Sequence, residues 1–392
     1  MIVKSQHRSI LLTDYMNQVA PTDKLPADDL QPILLGLFGE VGSIMATAKK
    51  FHREKDAYAG YRHAVEEEFG DALWYLTALC RRLNVRVDEI LAEASDGSAY
   101  EASVAANDLI DSPISRVATP LAVPELDPAL LQLGEAAAKL FVLRTSVNGA
   151  RAGLVAFSDW YLRALKAARV TFAEVVRKNI AKTTGRFLDP DYASLPTFDH
   201  SFPPDEQLPA HFEITLDQRG SARSYMRWNG VFIGDPLTDN IHDSDGYRFH
   251  DVFHFAHAAV LHWSPTFRAL IKQKRKSDPK VDDAQDGGRA IVVEEGLTAW
   301  IFTRAKELNY FEGQQSVSFD LLKTVQQFVT GYEIEACPLR LWEIAILKGY
   351  DVFRQVLSNN GGIIVGDRST RTIEYKPLRG GKHEAEGVCE FS

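Results

Sequence analysis

Glu66-Glu67-Glu68-Phe69-Gly70-Asp71-Ala72-Leu73-Trp74-Tyr75-Leu76 and Leu34-Leu35-Gly36-Leu37-Phe38-Gly39-Glu40-Val41-Gly42-Ser43-Ile44-Met45 are the two stretches that decide how this chain is read. Both are apolar at helical spacing, and both carry carboxylates inside the apolar run. A carboxylate among core residues is costly unless something neutralises it. Glu66, at the start of the acidic run, reads as a solvated surface charge. Positions i and i+3 share a helix face, so Glu40 projects beside Ser43, and Glu68 beside Asp71. If the two helices pack antiparallel, Glu40, Glu68 and Asp71 converge on one divalent cation. Mg²⁺ suits such a site because it favours carboxylate oxygen and is completed by substrate phosphates. Lys49 and Lys50 end the first of these helices, and the expectation is that they reach the phosphates of a ligand held at the acids.

Working outward, residues 1–95 read as helical throughout. Thr13-Asp14 caps a short helix, Asp28-Asp29 opens a long one to about His52, a third runs from Tyr61 to Asn84, and Asp88 starts a fourth. Residues 96–128, rich in Ser, Ala, Asp and Pro, read as a linker. Helical periodicity returns over Ala129–Thr145, Ala150–Ala168 and Thr171–Lys182. This second block echoes the first: Leu133-Gly134-Glu135 parallels Phe38-Gly39-Glu40, and Trp160-Tyr161-Leu162 parallels Trp74-Tyr75-Leu76. Residues 129–188 are therefore expected to be a degenerate second copy of 1–95. Pro190, Pro196, Pro203, Pro204 and Pro209 mark a further linker over 189–210.

From 211 to 380 the pattern is mixed. Phe212–Leu216 alternates as a strand, and Asn229-Gly230 is a hairpin signal. Helices are expected at 246–262, 265–275, 286–308, 317–331 and 339–358, with a closing hairpin near Gly362–Val365 and Arg371–Tyr375. Residues 381–392 read as a flexible tail.

Bulk properties narrow the function classes. The 392 residues are 45% apolar and 25% charged, typical of a globular chain. A net charge of −9 argues against a nucleic-acid-coating role, which needs a basic face. Cys80, Cys337 and Cys389 are scattered and make neither a disulfide framework nor a zinc knuckle, so a cytoplasmic protein is expected. The N-terminus lacks a signal-peptide core, and no apolar stretch was expected to reach the ~20 residues that span a bilayer.

Residues Ser9 to Leu91 resemble the MazG-like all-α nucleoside triphosphate pyrophosphohydrolases. The resemblance rests on Leu11-Leu12-Thr13-Asp14-Tyr15, Gly39-Glu40-Val41-Gly42, Lys49-Lys50, and Glu68-Phe69-Gly70-Asp71 with its apolar continuation. It implies a mainly α fold: a tandem all-α helical bundle with a degenerate second copy, followed by an α+β C-terminal domain. It also implies hydrolysis of a nucleoside triphosphate to the monophosphate and pyrophosphate. Mg²⁺, replaceable by Mn²⁺, would be held by Glu40, Glu68 and Asp71, with Glu68 and a proton-accepting Glu67 in the catalytic step. The family pattern is Glu-x-x-Glu followed by Glu-x-x-Asp, and this chain departs from it at Ser43. In the second copy Glu135 remains, but Ala138 stands where a second acid would be. That copy ends in Arg177-Lys178-Asn179-Ile180-Ala181-Lys182, which is similar to the tail with which family members close over phosphates. The resemblance therefore implies a composite site, with acids from the first copy and Lys178, Asn179 and Lys182 from the second. It also implies a homo-oligomer; no nucleic-acid or membrane partner is expected, from the net charge and the apolar patterning of the chain.

Five of the eleven histidines lie between residues 242 and 262. At about 100° per residue, His250, His254 and His257 share one face of a helix. His-x-x-x-His is a common metal-ligand spacing. Glu294 and Glu295, again inside an apolar run, are the candidates to complete a second divalent-metal site. The alternative for those acids is pairing with Arg289 or the Lys272–Lys276 cluster. The C-terminal region resembles the extension attached to some MazG-like proteins. Three functions therefore compete: a pyrophosphohydrolase, a nucleotide-binding regulator without efficient turnover, and a metal-dependent activity in the histidine-rich domain.

Overall fold

The computed structural model describes residues 12–95, 100–101, 119–120, 125–220 and 223–378. The expected linker over 96–128 lies largely outside these residues, and the tail 381–392 wholly so. The chain forms two compact units, residues 1–188 and 189–392.

The first unit is all helical apart from a two-residue ladder. Its helices are α1 (Leu12–Val19), α2 (Gln31–Glu54), α3 (Tyr61–Arg82), α4 (Val87–Ser95), α5 (Leu126–Lys139), α6 (Ala150–Ala167) and α7 (Phe172–Phe187). Tyr100–Glu101 (β1) pairs antiparallel with Thr119–Pro120 (β2). Ile33, Leu34, Leu37, Val41 and Ile44 of α2 and Phe69, Leu73 and Leu76 of α3 are buried. They share a single core with Leu130 and Leu133 of α5, Leu154, Phe157 and Tyr161 of α6, and Val175 and Val176 of α7. The two sequence blocks thus bury their apolar faces against each other. Each such side chain contributes about 1.5–3 kcal/mol of burial free energy.

The stretch Gln31–Ala57 is, among the described residues, the one helix long and apolar enough to cross a membrane. The sequence reading expected no such stretch. Ile33, Leu34, Leu37, Val41 and Ile44 of this helix are core residues, while Leu35 and Phe38 are exposed.

In the second unit, α8 (Asp251–Ala256), α9 (Pro265–Ile271), α10 (Pro279–Ala284), α11 (Gly288–Glu307), α12 (Phe319–Val329) and α13 (Leu339–Asn359) accompany five strands. These are β3 (His211–Arg219), β4 (Arg223–Trp228), β5 (Val231–Leu237), β6 (Gly361–Asp367) and β7 (Thr372–Lys376), in the order β5-β4-β3-β6-β7 and antiparallel throughout. Phe212, Ile214 and Leu216 alternate into the core beneath α8 and α13, as a period of two requires. The long helix expected over 246–262 is broken into three parts: a 3₁₀ turn at Tyr247–Phe249, then α8, then a π-helical turn at His257–Leu261. It is also not amphipathic. Every residue from Asp251 to Leu261 is buried, because the sheet, α11 and α13 surround it.

The proline-rich segment expected as a linker packs as part of this unit. Asp199 is 2% exposed and accepts from Arg268 at 2.6 Å and from Arg368 at 2.7 Å. Burial raises its pKa, but the two guanidinium groups outweigh that and hold the carboxyl below the ordinary value.

Candidate functional site

In α2 and α3 the acids converge. One carboxylate oxygen each from Glu40, Glu68 and Asp71 lies within 4.8 Å of the others. Glu40 is half-buried and its pKa is pushed up to about 8. Burial is the largest cause, followed by the negative charges of Asp71 and Glu68. Carboxylates crowded to this degree form an all-oxygen donor set for a hard divalent cation. Ser43 is half-buried one turn from Glu40 and adds no charge.

The basic residues of α7 reach these acids. Lys182 Nζ donates to Glu67 at 2.7 Å and also to Asp71. Glu67 and Asp71 are four residues apart on one face of α3, so a single ammonium bridges both. Asn179 is buried. Its Nδ2 donates to Asp71 at 3.3 Å, and its Oδ1 accepts from Tyr15 Oη of α1 at 2.9 Å. Lys178 Nζ donates to Glu66 at 2.5 Å and lies 3.1 Å from His63 Nδ1.

Glu66 is therefore not a solvated charge. It is 3% exposed and also accepts from Arg62 Nε at 2.8 Å. Burial works against its charged form, but Lys178 and Arg62 outweigh this and lower its pKa. The sequence signal was present in the Arg62/Glu66 spacing of four, but its partner Lys178 is 112 residues away. Tyr15 and His63 likewise escaped the sequence reading.

Lys49 and Lys50 are not brought to the acids. They lie nine and ten residues beyond Glu40, about 14 Å along the helix. Lys50 sits 4.0 Å from Glu54 and over the Tyr58 ring. In the second block Glu135 points outward, paired with Lys139 at 2.8 Å. Asp159 pairs with Arg163. Neither joins the acid cluster.

Gly70 lets α7 come this close. A Cβ there would stand 3.0 Å from Asn179 Cβ and 3.4 Å from the Val175 carbonyl oxygen. Gly70→Ala should gain about 1 kcal/mol of helix propensity, but it must displace α7 by a few tenths of an ångström. We expect melting temperature to change little and any turnover at the acid cluster to fall about tenfold. Unaltered turnover would mean that the seating of α7 on α3 does not matter to the site.

The second unit holds the histidine cluster. His250 Nε2 lies 3.5 Å from Glu295, and His254 Nε2 lies 3.3 Å from Glu295. His254 Nδ1 is 3.2 Å from Glu294. His257 Nδ1 donates to Glu294 at 2.9 Å. Burial raises the pKa of Glu294, but His254 and His257 hold it down at about 2. Neither acid pairs with Arg289 or the lysine cluster. Tyr247, Ser264 and Thr266, which contact these five residues, carried no signal in the sequence.

Residues 193–379 match the family model described as the MazG C-terminal domain. No curated protein and no solved structure matches the chain.

Proposed function

We propose, starting from the match of residues 193–379 to the MazG C-terminal domain family, that the acidic face of α2 and α3 is the site of a Mg²⁺-dependent nucleoside triphosphate pyrophosphohydrolase. The observation that carries this reading is the convergence of Glu40, Glu68 and Asp71 with Lys182 and Asn179 of α7. Glu40, Glu68 and Asp71 would hold the cation. A bound Mg²⁺ would offset phosphate charge and orient the attacking water.

The remaining chemistry belongs to the side chains. Lys182 in the ligand-free chain spans Glu67 and Asp71. With a triphosphate bound, the Lys182 ammonium would contact phosphate oxygen, and Glu67 would accept the proton of the attacking water. Asn179, fixed by Tyr15, keeps Asp71 oriented. Lys178 stays on Glu66 and holds α7 against α3. A regulator that binds nucleotide with little turnover is the second reading. It is favoured by Ser43, where the family pattern has a fourth acid.

The test is a panel of ribo- and deoxyribonucleoside triphosphates with Mg²⁺ or Mn²⁺, with products separated by chromatography. Monophosphate with pyrophosphate supports hydrolysis at this site. Binding without product supports the regulator, and no binding removes both.

The pH dependence follows from Glu40. In the folded chain it keeps its proton from the ordinary value of 4.5 up to about 8, whereas the unfolded chain has released it. Folding takes up a proton in that window, so metal-free stability should fall as pH rises from about 5 to 8. Metal loading must expel the same proton. The half-saturating Mg²⁺ concentration should therefore drop up to tenfold per pH unit below 8 and level off above it. Mg²⁺ titrations at pH 6.5, 7.5 and 8.5 check this; a flat response removes Glu40 from the ligand set.

A further inference from the structure

His250 and His254 stand one turn apart, and Nδ1 of each ring faces an oxygen. His250 Nδ1 donates to the Tyr247 carbonyl at 2.9 Å, and its ring stacks on Tyr247 with centroids 4.3 Å apart. His254 Nδ1 faces Glu294 Oε1 at 3.2 Å. Both Nε2 atoms are left turned toward the two oxygens of Glu295, at 3.5 and 3.3 Å. One donor atom from each of these three residues lies within 4.8 Å of the others. His254 is fully buried, yet neither of its ring nitrogens meets a partner in hydrogen-bond geometry. Ligands at 2.0–2.1 Å around a tetrahedral ion stand about 3.3 Å from one another. Contacts of that length without hydrogen-bond alignment are what donors around a shared ion present.

We infer that His250 Nε2, His254 Nε2 and Glu295 bind one divalent transition-metal ion of the Zn²⁺ class, with Glu294 as the carboxylate that orients His254. Imidazole nitrogen selects such ions over Mg²⁺. A metal-bound histidine commonly gives its second nitrogen to a carboxylate or a carbonyl, and here one ring has each. Glu294 is itself pinned by His257 Nδ1 at 2.9 Å, Ser264 Oγ at 3.1 Å and the Thr266 amide at 3.0 Å. It is thereby committed to a supporting role, and the alternative triad of His254, His257 and Glu294 is set aside. Three protein ligands leave a fourth position, on the side where Glu295 is 37% exposed. Asp251 follows His250 directly and is buried, with Oδ2 lacking a hydrogen-bond partner. The spacing is that of His-acid-x-x-His helices, in which the acid serves a metal-bound water.

The competing occupant of the gap is a proton on His254 shared by Glu294 and Glu295. Metal content separates the two. Full-length protein is stripped with EDTA, loaded with Zn²⁺, dialysed into metal-free buffer and assayed by elemental mass spectrometry. One Zn²⁺ per chain should remain, and melting temperature should rise on loading. His250→Gln and Glu295→Gln should each weaken Zn²⁺ binding at least 100-fold while matching the stripped parent in circular dichroism and melting temperature. Glu294→Gln should cost about 10–100-fold. Glu68→Gln should keep the Zn²⁺, and Glu295→Gln should keep any Mg²⁺-dependent nucleotide hydrolysis, so this site and the nucleotide site fail separately. No retained Zn²⁺ in the parent, or equal retention in Glu295→Gln, overturns the inference.

Discussion

Glu68→Gln should lower kcat/KM for nucleoside triphosphate hydrolysis by about 10³-fold or more while leaving the fold intact. The substitution keeps size and removes charge, so the packing of α3 is preserved. Metal stabilisation of phosphoryl chemistry is worth several kcal/mol, and 10³-fold corresponds to about 4 kcal/mol. The same change removes one of the negative charges that hold Glu40 protonated. The metal-free variant should therefore lose less stability between pH 5 and 8 than the parent. Steady-state kinetics with saturating Mg²⁺, alongside thermal melts at both pH values, would measure the two effects. Parent-like kinetics would exclude α2 and α3 as the reaction site.

Lys182→Ala should raise KM for the triphosphate by about 100-fold. Two readings of Lys182 predict different patterns. As a phosphate ligand it contributes to nucleotide binding, and its loss appears in KM. As a mere counter-charge for Glu67 and Asp71, its loss leaves KM alone. Both readings predict a metal-free protein destabilised by about 2 kcal/mol, because the acids lose a cation that is only 18% exposed. Both also predict tighter Mg²⁺ binding without nucleotide, since Lys182 competes for Asp71. KM is thus the deciding measurement, and an unchanged value would dismantle the composite site.

The elements of the first unit were legible because each is a long periodic segment. The helices from Gln31 to Glu54 and from Tyr61 to Arg82 were expected within a few residues of where they lie. Thr171 caps α7, its side chain accepting from the Glu174 amide. The composite site was legible only in part. Lys178, Asn179 and Lys182 do reach α3, but Lys178 goes to Glu66 rather than to Glu40, Glu68 or Asp71, and Lys50 lies beside Glu54. Sequence spacing places a side chain on a helix face, but it gives no information about what faces it. The histidine helix illustrates the same limit. Its periodicity correctly put three histidines on one side. It did not show that tertiary packing buries every residue from Asp251 to Leu261.

By itself the sequence determined that this is a mainly α chain with carboxylates embedded in two apolar helices and a histidine cluster on a third. These are properties of periodicity and composition, which are local. Only the tertiary structure decided that Glu66 is buried and that Lys182 bridges Glu67 and Asp71. It alone divided the histidine cluster into a donor set open toward solvent and a buried carboxylate behind it. Those outcomes depend on desolvation and on charges brought together from more than a hundred residues apart. Energies of that kind arise only when helices pack and exclude water.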